Sequence, residues 1–376
     1  MHKDHERALK ALAARGRLRA LAPRRGIDFS SNDYLGLGSS PELAGAISEA
    51  IARGVPVGAG GSRLLRGNDP EHEALEDEAA RFFGAETALD MGGGFTANAA
   101  IFATLPQRGD LIVHDELIHA SAHDGMRISK AATVSAAHND VAAFRERIAA
   151  WRANGGVGRV WIAVESLYSM EGDTAPIAPF DALARDTDAM LVIDEAHATG
   201  VFGPEGRGLA HALEGQPHVV SLHTCGKALG VMGALVLAPK TLREFLVNRA
   251  RPFIYATGPS PLMAAGVRRA LRLSAAAPER REILHERIRD FGQELQRLCG
   301  IAPSGTQIQP VIVKSDARAV SIAAALQEQG FDVRAVRPPT VPEGTARLRV
   351  SLTLNASHED TMSLATAIAR EIERQP

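Results

Sequence analysis

Thiols are scarce, and neither sign of charge dominates. Two cysteines, Cys225 and Cys299, stand in 376 residues, too few for a disulfide framework or a four-thiolate zinc site. They fit a reducing compartment. A formal net charge of −2 lacks the basic excess on which general nucleic-acid binding draws. No window approaches the roughly 18 apolar residues of a membrane span. The opening stretch MHKDHERALKALAARGRLRAL is charged throughout and has no signal-peptide core. Internal repeats and low-complexity segments are missing as well. These absences lead to the expectation of a cytoplasmic chain without nucleic-acid or membrane partners. The length predicts two domains, or one large domain with an appendage.

Residues 2–21 read as a charged helix with Leu9, Leu12, Leu18 and Leu21 as an interrupted apolar set. Its Arg15, Arg17 and Arg19 could meet an anion, although a solvated face is the plainer reading. A short strand and a turn-rich stretch follow in IDFSSNDYLGLGSS. PELAGAISEAIARG predicts a helix with Ser40 as N-cap, Pro41 in its first turn and Gly54 ending it. Gly58-Ala59-Gly60 does not complete a dinucleotide fingerprint, because the third glycine is misplaced and no βαβ unit surrounds it. The next helix covers 70–83.

From residue 86 apolar strands alternate with helices: TALDM, LIVHD, ATVSA, RVWIAVE, MLVID, HVVSLHT and GALVLA. Such alternation predicts an α/β fold with a mainly parallel, seven-stranded sheet covered by helices on both faces. Helices are expected at 239–250 and 260–299. QPVIV, a helix at 316–329, VRAV, ARLRVSLT and a last helix capped by Ser357 with Asp360 then make a smaller α+β unit. The expected division is an N-terminal helix and arm (1–50), a large α/β domain (51–255) and a C-terminal α+β domain (256–376).

Chemistry concentrates in MLVIDEAHATG (190–200) and HTCGKALG (223–230). Ligands of parallel α/β sheets bind beyond the carboxyl ends of the strands, where Asp194 stands. A carboxylate there can pair with the pyridinium nitrogen of pyridoxal phosphate and keep the ring an electron sink; a helix cap or a metal ligand are the alternatives. The letters DEAH also occur in a helicase class. That chemistry needs G-x-x-x-x-G-K-[ST], whereas the Gly226-Lys227 pair is followed by Ala228, has Ser221 at the first-glycine position, and comes after the DEAH. Lys227 must become a neutral amine to form a Schiff base, as burial and a cationic cofactor allow. Gly226, Gly230 and Gly233 leave room for a ring, against the plain reading of a solvated lysine. Gly92, Gly93 and Gly94 lie between strand and helix, where backbone N–H groups can face a phosphate. His119 follows another strand end, in reach of a ring face.

SSNDYLGL, GGGFTAN, DELIHAS, ESLYSMEGD, DEAHATGVFGPEGRG, TCGKALG and RPPTVPEGTARLRVSLT occur in this order over residues 30–353. Together they resemble the α-oxoamine synthases, pyridoxal phosphate enzymes of aminotransferase fold type I, which condense an amino acid with an acyl thioester and release carbon dioxide. The resemblance implies pyridoxal 5′-phosphate as cofactor, no metal, and a homodimer with active sites at the subunit interface. Carried over by motif, Lys227 matches the Schiff-base lysine, Asp194 the pyridinium partner, His197 and Ser169 the 3′-oxygen contacts, and His119 the stacking histidine. Gly94, Phe95 and Thr224 match phosphate contacts, joined by Thr257 of the dimer partner. Asn32 and Arg349 match substrate-carboxylate contacts, Arg337 a mobile-loop arginine, Glu165 a further active-site position, and Arg19 an N-terminal arginine that contacts the acyl substrate. Two departures stand out: Gly93 replaces the usual serine, and the segment between Arg19 and Ser30 is short. Within the family, the Arg-Pro-Pro run and TCGKALG point to the branch that joins L-alanine to a pimeloyl thioester, pimeloyl-CoA or pimeloyl-ACP. Glycine C-acetyltransferase, 5-aminolevulinate synthase and serine palmitoyltransferase are the neighbouring alternatives, and a non-catalytic pyridoxal-binding protein the alternative of another class.

Overall fold

Strand β1 (Ile27–Asp28) precedes a large sheet whose strands are apolar runs of five or six residues. These are β2 (Thr87–Met91), β3 (Leu111–Asp115), β4 (Ala132–Ala136), β5 (Val160–Glu165), β6 (Met190–Asp194), β7 (Val219–Thr224) and β8 (Ala234–Ala238). The computed structural model describes residues 2–21 and 23–375. The sheet order is β2-β8-β7-β6-β5-β3-β4. Strands β7, β6, β5, β3 and β4 run parallel, while β8 is antiparallel to both β2 and β7. The nine residues Cys225–Gly233 explain the reversal. A parallel return needs a crossover of a dozen or more residues, so the chain turns straight back. That turn carries Lys227.

Strands β3, β5, β6 and β8 are buried at every position, as a sheet covered on both faces requires. Alternate side chains feed two cores. Ile112, Ala163, Val192 and Leu222 meet Ala97 and Ile101 of the helix Gly94–Thr104. Val113, Ile162, Leu191 and Ile193 meet Phe144, Phe180 and Leu183 on the opposite face.

The chain separates into two compact units. The larger holds Leu35–Ser169 and Thr174–Arg281; the smaller holds the described residues up to Tyr34, Met170–Asp173, and those from Glu282 onward. This partition differs from the expected 1–50, 51–255 and 256–376. The helix Pro41–Ala52 joins the large unit because Ala50 packs with Leu262 and Ala265 of the helix Pro261–Ala276. Met170–Asp173 joins the smaller unit, where Thr306 Oγ1 donates to Gly172 O at 2.6 Å and Arg347 Nη1 to Met170 O at 3.0 Å.

In the smaller unit β9 (Ile308–Lys314), β11 (Arg334–Val336) and β12 (Ala346–Ser351) form an antiparallel sheet, and β10 (Phe331–Asp332) pairs parallel with β1. Two local readings change. The N-terminal helix is Lys3–Ala14 rather than 2–21: Gly16 takes a φ of +63°, a left-handed conformation that ends helices. The stretch 260–299 is two helices, Pro261–Ala276 and Pro278–Cys299, broken where Ala277 precedes a proline. Among the described residues no helix is long and apolar enough to cross a membrane, and no cluster of three or more His, Cys, Asp or Glu side chains is arranged to hold a metal.

Candidate active site

Within the large unit, β6 and β7 end side by side, and each hands the chain to a turn. Asp194 closes β6 and is buried. Ala196 N–H donates to its Oδ1 at 2.9 Å and Asn98 Nδ2 to its Oδ2 at 2.7 Å. Both donors are neutral, so the carboxylate is held in place without its charge being cancelled. The second hydrogen of the same Asn98 amide reaches Ser121 Oγ at 3.0 Å, and Ser121 Oγ lies 2.8 Å from His119 Nδ1. One helix residue therefore orients both the buried acid and the histidine. Sequence reasoning missed Asn98; its signal was the one amide side chain in GFTANAAIFAT.

His119 caps the helix Ala120–Ile128, accepting from Ser121 N–H. Desolvation pushes its imidazole below the ordinary value, with Asp194 acting in the opposite direction and Lys227 in the same. Across the β6–β7 boundary Lys227 Nζ lies 2.9 Å from His197 Nε2. The Lys227 turn is closed by Gly230 N–H to Lys227 O at 2.9 Å and Cys225 N–H to Gly233 O at 3.0 Å. Glu165 ends β5 beside Asp194 and is buried; Ser169 is half-buried on the segment beyond it.

The helix Gly94–Thr104 starts at the edge of this cluster. Its first N–H groups have no partners within the helix and favour an anion. Thr224 Oγ1, at the end of β7, is buried and has no hydrogen-bond partner among the described residues. A Cβ placed on Gly94 would stand 2.9 Å from that hydroxyl, so glycine keeps the space open. An unsatisfied buried hydroxyl facing a helix start fits a phosphate, and a charged carboxylate at a strand end fits a protonated ring nitrogen. Phe95 is exposed in the first turn. Thr257 is exposed on a segment tied to the stretch after Gly58-Ala59-Gly60 by Gly258 N–H to Gly61 O at 2.8 Å.

The smaller unit holds its own polar groups. Asn32 Oδ1 accepts from Arg349 Nη2 and from Tyr34 O–H, each at 3.0 Å, and Arg349 Nη1 donates to Ser351 Oγ at 2.7 Å. The Arg349 guanidinium is thereby buried yet aimed. Arg19 Nη2 donates to Thr340 Oγ1 at 3.0 Å, and Arg337 to Gly16 O. Both arginines line a cavity of about 190 Å³ with Arg17. Arg17 itself is spent on Asp316 and Glu343.

Fold and site together define a class, the fold-type I pyridoxal phosphate enzymes. The family model for aminotransferase class I and II matches residues 24–368. An 8-amino-7-oxononanoate synthase of Chromobacterium violaceum is 44% identical, with 89% of this chain and 85% of that protein covered. Among solved structures, a serine palmitoyltransferase of Sphingomonas wittichii superposes with a TM-score of 0.90 at 28% identity, covering 100% of this chain and 98% of the other. The 8-amino-7-oxononanoate synthase of Francisella tularensis superposes at 0.76 and 26% identity, covering 93% and 98%. The chain belongs to the class I and II aminotransferase family and, within it, to the α-oxoamine synthases. It is an acyltransferase whose cofactor is pyridoxal 5′-phosphate.

Proposed function

We propose that this enzyme condenses L-alanine with a pimeloyl thioester, carried by CoA or by acyl-carrier protein, to give 8-amino-7-oxononanoate, carbon dioxide and the free thiol. The reaction belongs to biotin biosynthesis, and the enzyme works as a cytoplasmic homodimer with active sites at the subunit interface. The observation that carries this reading is the 44% identity to a protein of that name over most of both chains.

When bound, the cofactor supplies a covalent handle for an amino group and an electron sink for charge on the neighbouring carbon. Asp194 holds the proton at the ring nitrogen, and Asn98 fixes the Asp194 carboxylate for that task. His119 would lie against the ring, and His197 and Ser169 would hold the 3′ oxygen. Gly94, Phe95 and Thr224 would take the phosphate, with Thr257 of the partner subunit. Arg349 and Asn32 orient the alanine carboxylate. Lys227, beside His197, removes the proton from the amino-acid Cα as a neutral amine and later returns one. Glu165 borders the reacting groups, and Arg19 and Arg337 meet the acyl substrate.

The TM-score of 0.90 favours one competing reading, a serine palmitoyltransferase activity. Thiol release from acetyl-, succinyl-, pimeloyl- and palmitoyl-CoA, each with L-alanine, glycine and L-serine, separates the two. The highest kcat/KM is expected for L-alanine with pimeloyl-CoA. Preference for L-serine with palmitoyl-CoA would replace the proposal by its competitor, and a yellow protein that releases no thiol with any pair would leave a pyridoxal-binding protein.

A further inference from the structure

Behind the Lys227–His197 contact lies a fully buried group of titratable side chains that the chemistry above does not use. His223, one residue before Thr224 in β7, has no exposed surface. Its Nδ1 lies 2.8 Å from Thr199 Oγ1. Its Nε2 lies 3.1 Å from Glu214 Oε1 and 3.2 Å from Ser221 Oγ. The Glu214 side chain is itself 3% exposed, and the ring of Phe83 covers the imidazole at a centroid distance of 4.0 Å. The other charged group facing it is Glu195, whose carboxyl burial pushes up, against the pull of His223; Glu195 is held by Ser166 Oγ, Leu209 N–H and Ala210 N–H.

The hydrogens in this network can be counted. Glu195 O, a carbonyl, can only accept, so Thr199 O–H, 2.8 Å away, donates to it. Thr199 has no second hydrogen, and His223 Nδ1 must therefore carry the one between them. Ser221 O–H, 2.6 Å from Glu214 Oε1, donates there. The remaining contact, Nε2 to Glu214 Oε1, then needs a hydrogen of its own. With Nδ1–H already placed, the pair holds one proton more than a neutral imidazole beside a carboxylate. An aromatic face over the ring suits a cation, and a buried charge persists only when paired.

The location gives the pair a task. Glu195 N–H donates to Leu222 O at 2.8 Å, Thr199 meets His223, and His197 meets Lys227. Three ties thus join the turn 194–200 to β7 and its exit. We propose that His223 is a positioning residue: an imidazolium paired with Glu214 that pins Thr199, and with it the Asp194–Gly200 turn, to the strand delivering Thr224 and Lys227. The inference rests on the assignment of Lys227 as the cofactor-bearing lysine and is independent of which acyl chain is used.

Three variants and three readouts test it. In cofactor-free protein, proton–nitrogen spectra should show two slowly exchanging His223 ring N–H signals, both absent in His223→Phe. A single protonated ring nitrogen would overturn the imidazolium. In cofactor-loaded protein without substrate, His223→Phe and Thr199→Val should move the pH midpoint of the visible absorbance in the same direction. Each should lower kcat about tenfold, the scale of one lost hydrogen bond to a charged group, while KM for the amino acid stays near the parent value. His223→Asn keeps a donor near the place of Nδ1 but leaves Glu214 without its cation, so it should fall between the parent and His223→Phe. Parent-like absorbance in Thr199→Val overturns the proposal even if His223→Phe does not fold, and so does His223→Asn behaving like His223→Phe. Borohydride reduction followed by peptide mapping checks the Lys227 assignment separately, and the absorbance readout needs no acyl substrate, so failure of the substrate reading is seen apart from failure of this one.

Discussion

Asp194, the acid proposed to face the cofactor ring, shows how much of a buried carboxylate is set by its neighbours. Its two donors are an amide and a backbone N–H, which restrain the carboxylate but leave its charge available to a ring nitrogen. Replacing Asp194 by Asn removes that charge, and kcat is expected to fall by several kcal/mol of barrier, on the order of a thousandfold or more. Asn98→Ala keeps the charge and loses the orientation of both Asp194 and Ser121. A smaller drop of about tenfold in kcat is expected, near the worth of one hydrogen bond to a charged group. Steady-state rates of both variants decide it; equal losses would mean that Asn98 does more than position. Asp194, His197 and Lys227 were legible in the sequence because each follows an apolar strand, where a parallel sheet places its ligands. Asn98 was not, because its role depends on a helix face meeting a strand 96 positions away, and no local pattern encodes that meeting.

At the scale of elements, most strands and helices followed from periodicity and punctuation. Ser40, Asp140 and Ser357 all accept from N–H groups of the helices they precede. The direction of β8 was not legible: an apolar run reads alike in either direction, and only the length of its connection to β7 decides. Turns are where single substitutions bite. Gly200 sits at φ +83° with its missing Cβ 2.7 Å from that of Ala228, the neighbour of Lys227. Gly200→Ala meets both a disfavoured backbone and a clash against the lysine turn. It is expected to cost about 1–3 kcal/mol of stability and to lower cofactor retention, read by urea unfolding and by absorbance after dialysis. Ser357 offers a milder test. It shares a reciprocal capping box with Asp360 at the start of His358–Arg374, and Ser357→Ala should lower stability by about 1 kcal/mol without altering kcat.

For the whole molecule, pH sensitivity is carried by buried and half-buried carboxyl groups of opposite tendency. The Asp115 carboxyl, which burial alone would push up, is held below its ordinary value by His138, Asn139 N–H and Leu117 N–H. Its contribution is present above the unfolded carboxyl value, about 4, and is lost as pH falls through the lower folded value. Glu71 and Glu78, bonded to Arg53, Arg268 and Arg272, behave alike. Asp90 does the reverse. Burial raises it to about 7, with Glu76 adding to the effect and Arg63 opposing it, and its Oδ2 has no hydrogen-bond partner among the described residues. In the folded protein it stays protonated while the unfolded chain ionises near 4. Stability therefore declines as pH rises from about 4 to about 7, by up to about 4 kcal/mol, and levels off beyond. Asp90→Asn removes the titration while keeping the shape. Urea unfolding of cofactor-free protein should find the variant close to the parent at pH 4.5 and more stable at pH 8. A difference that does not change between those two values would mean that Asp90 is not the group that titrates.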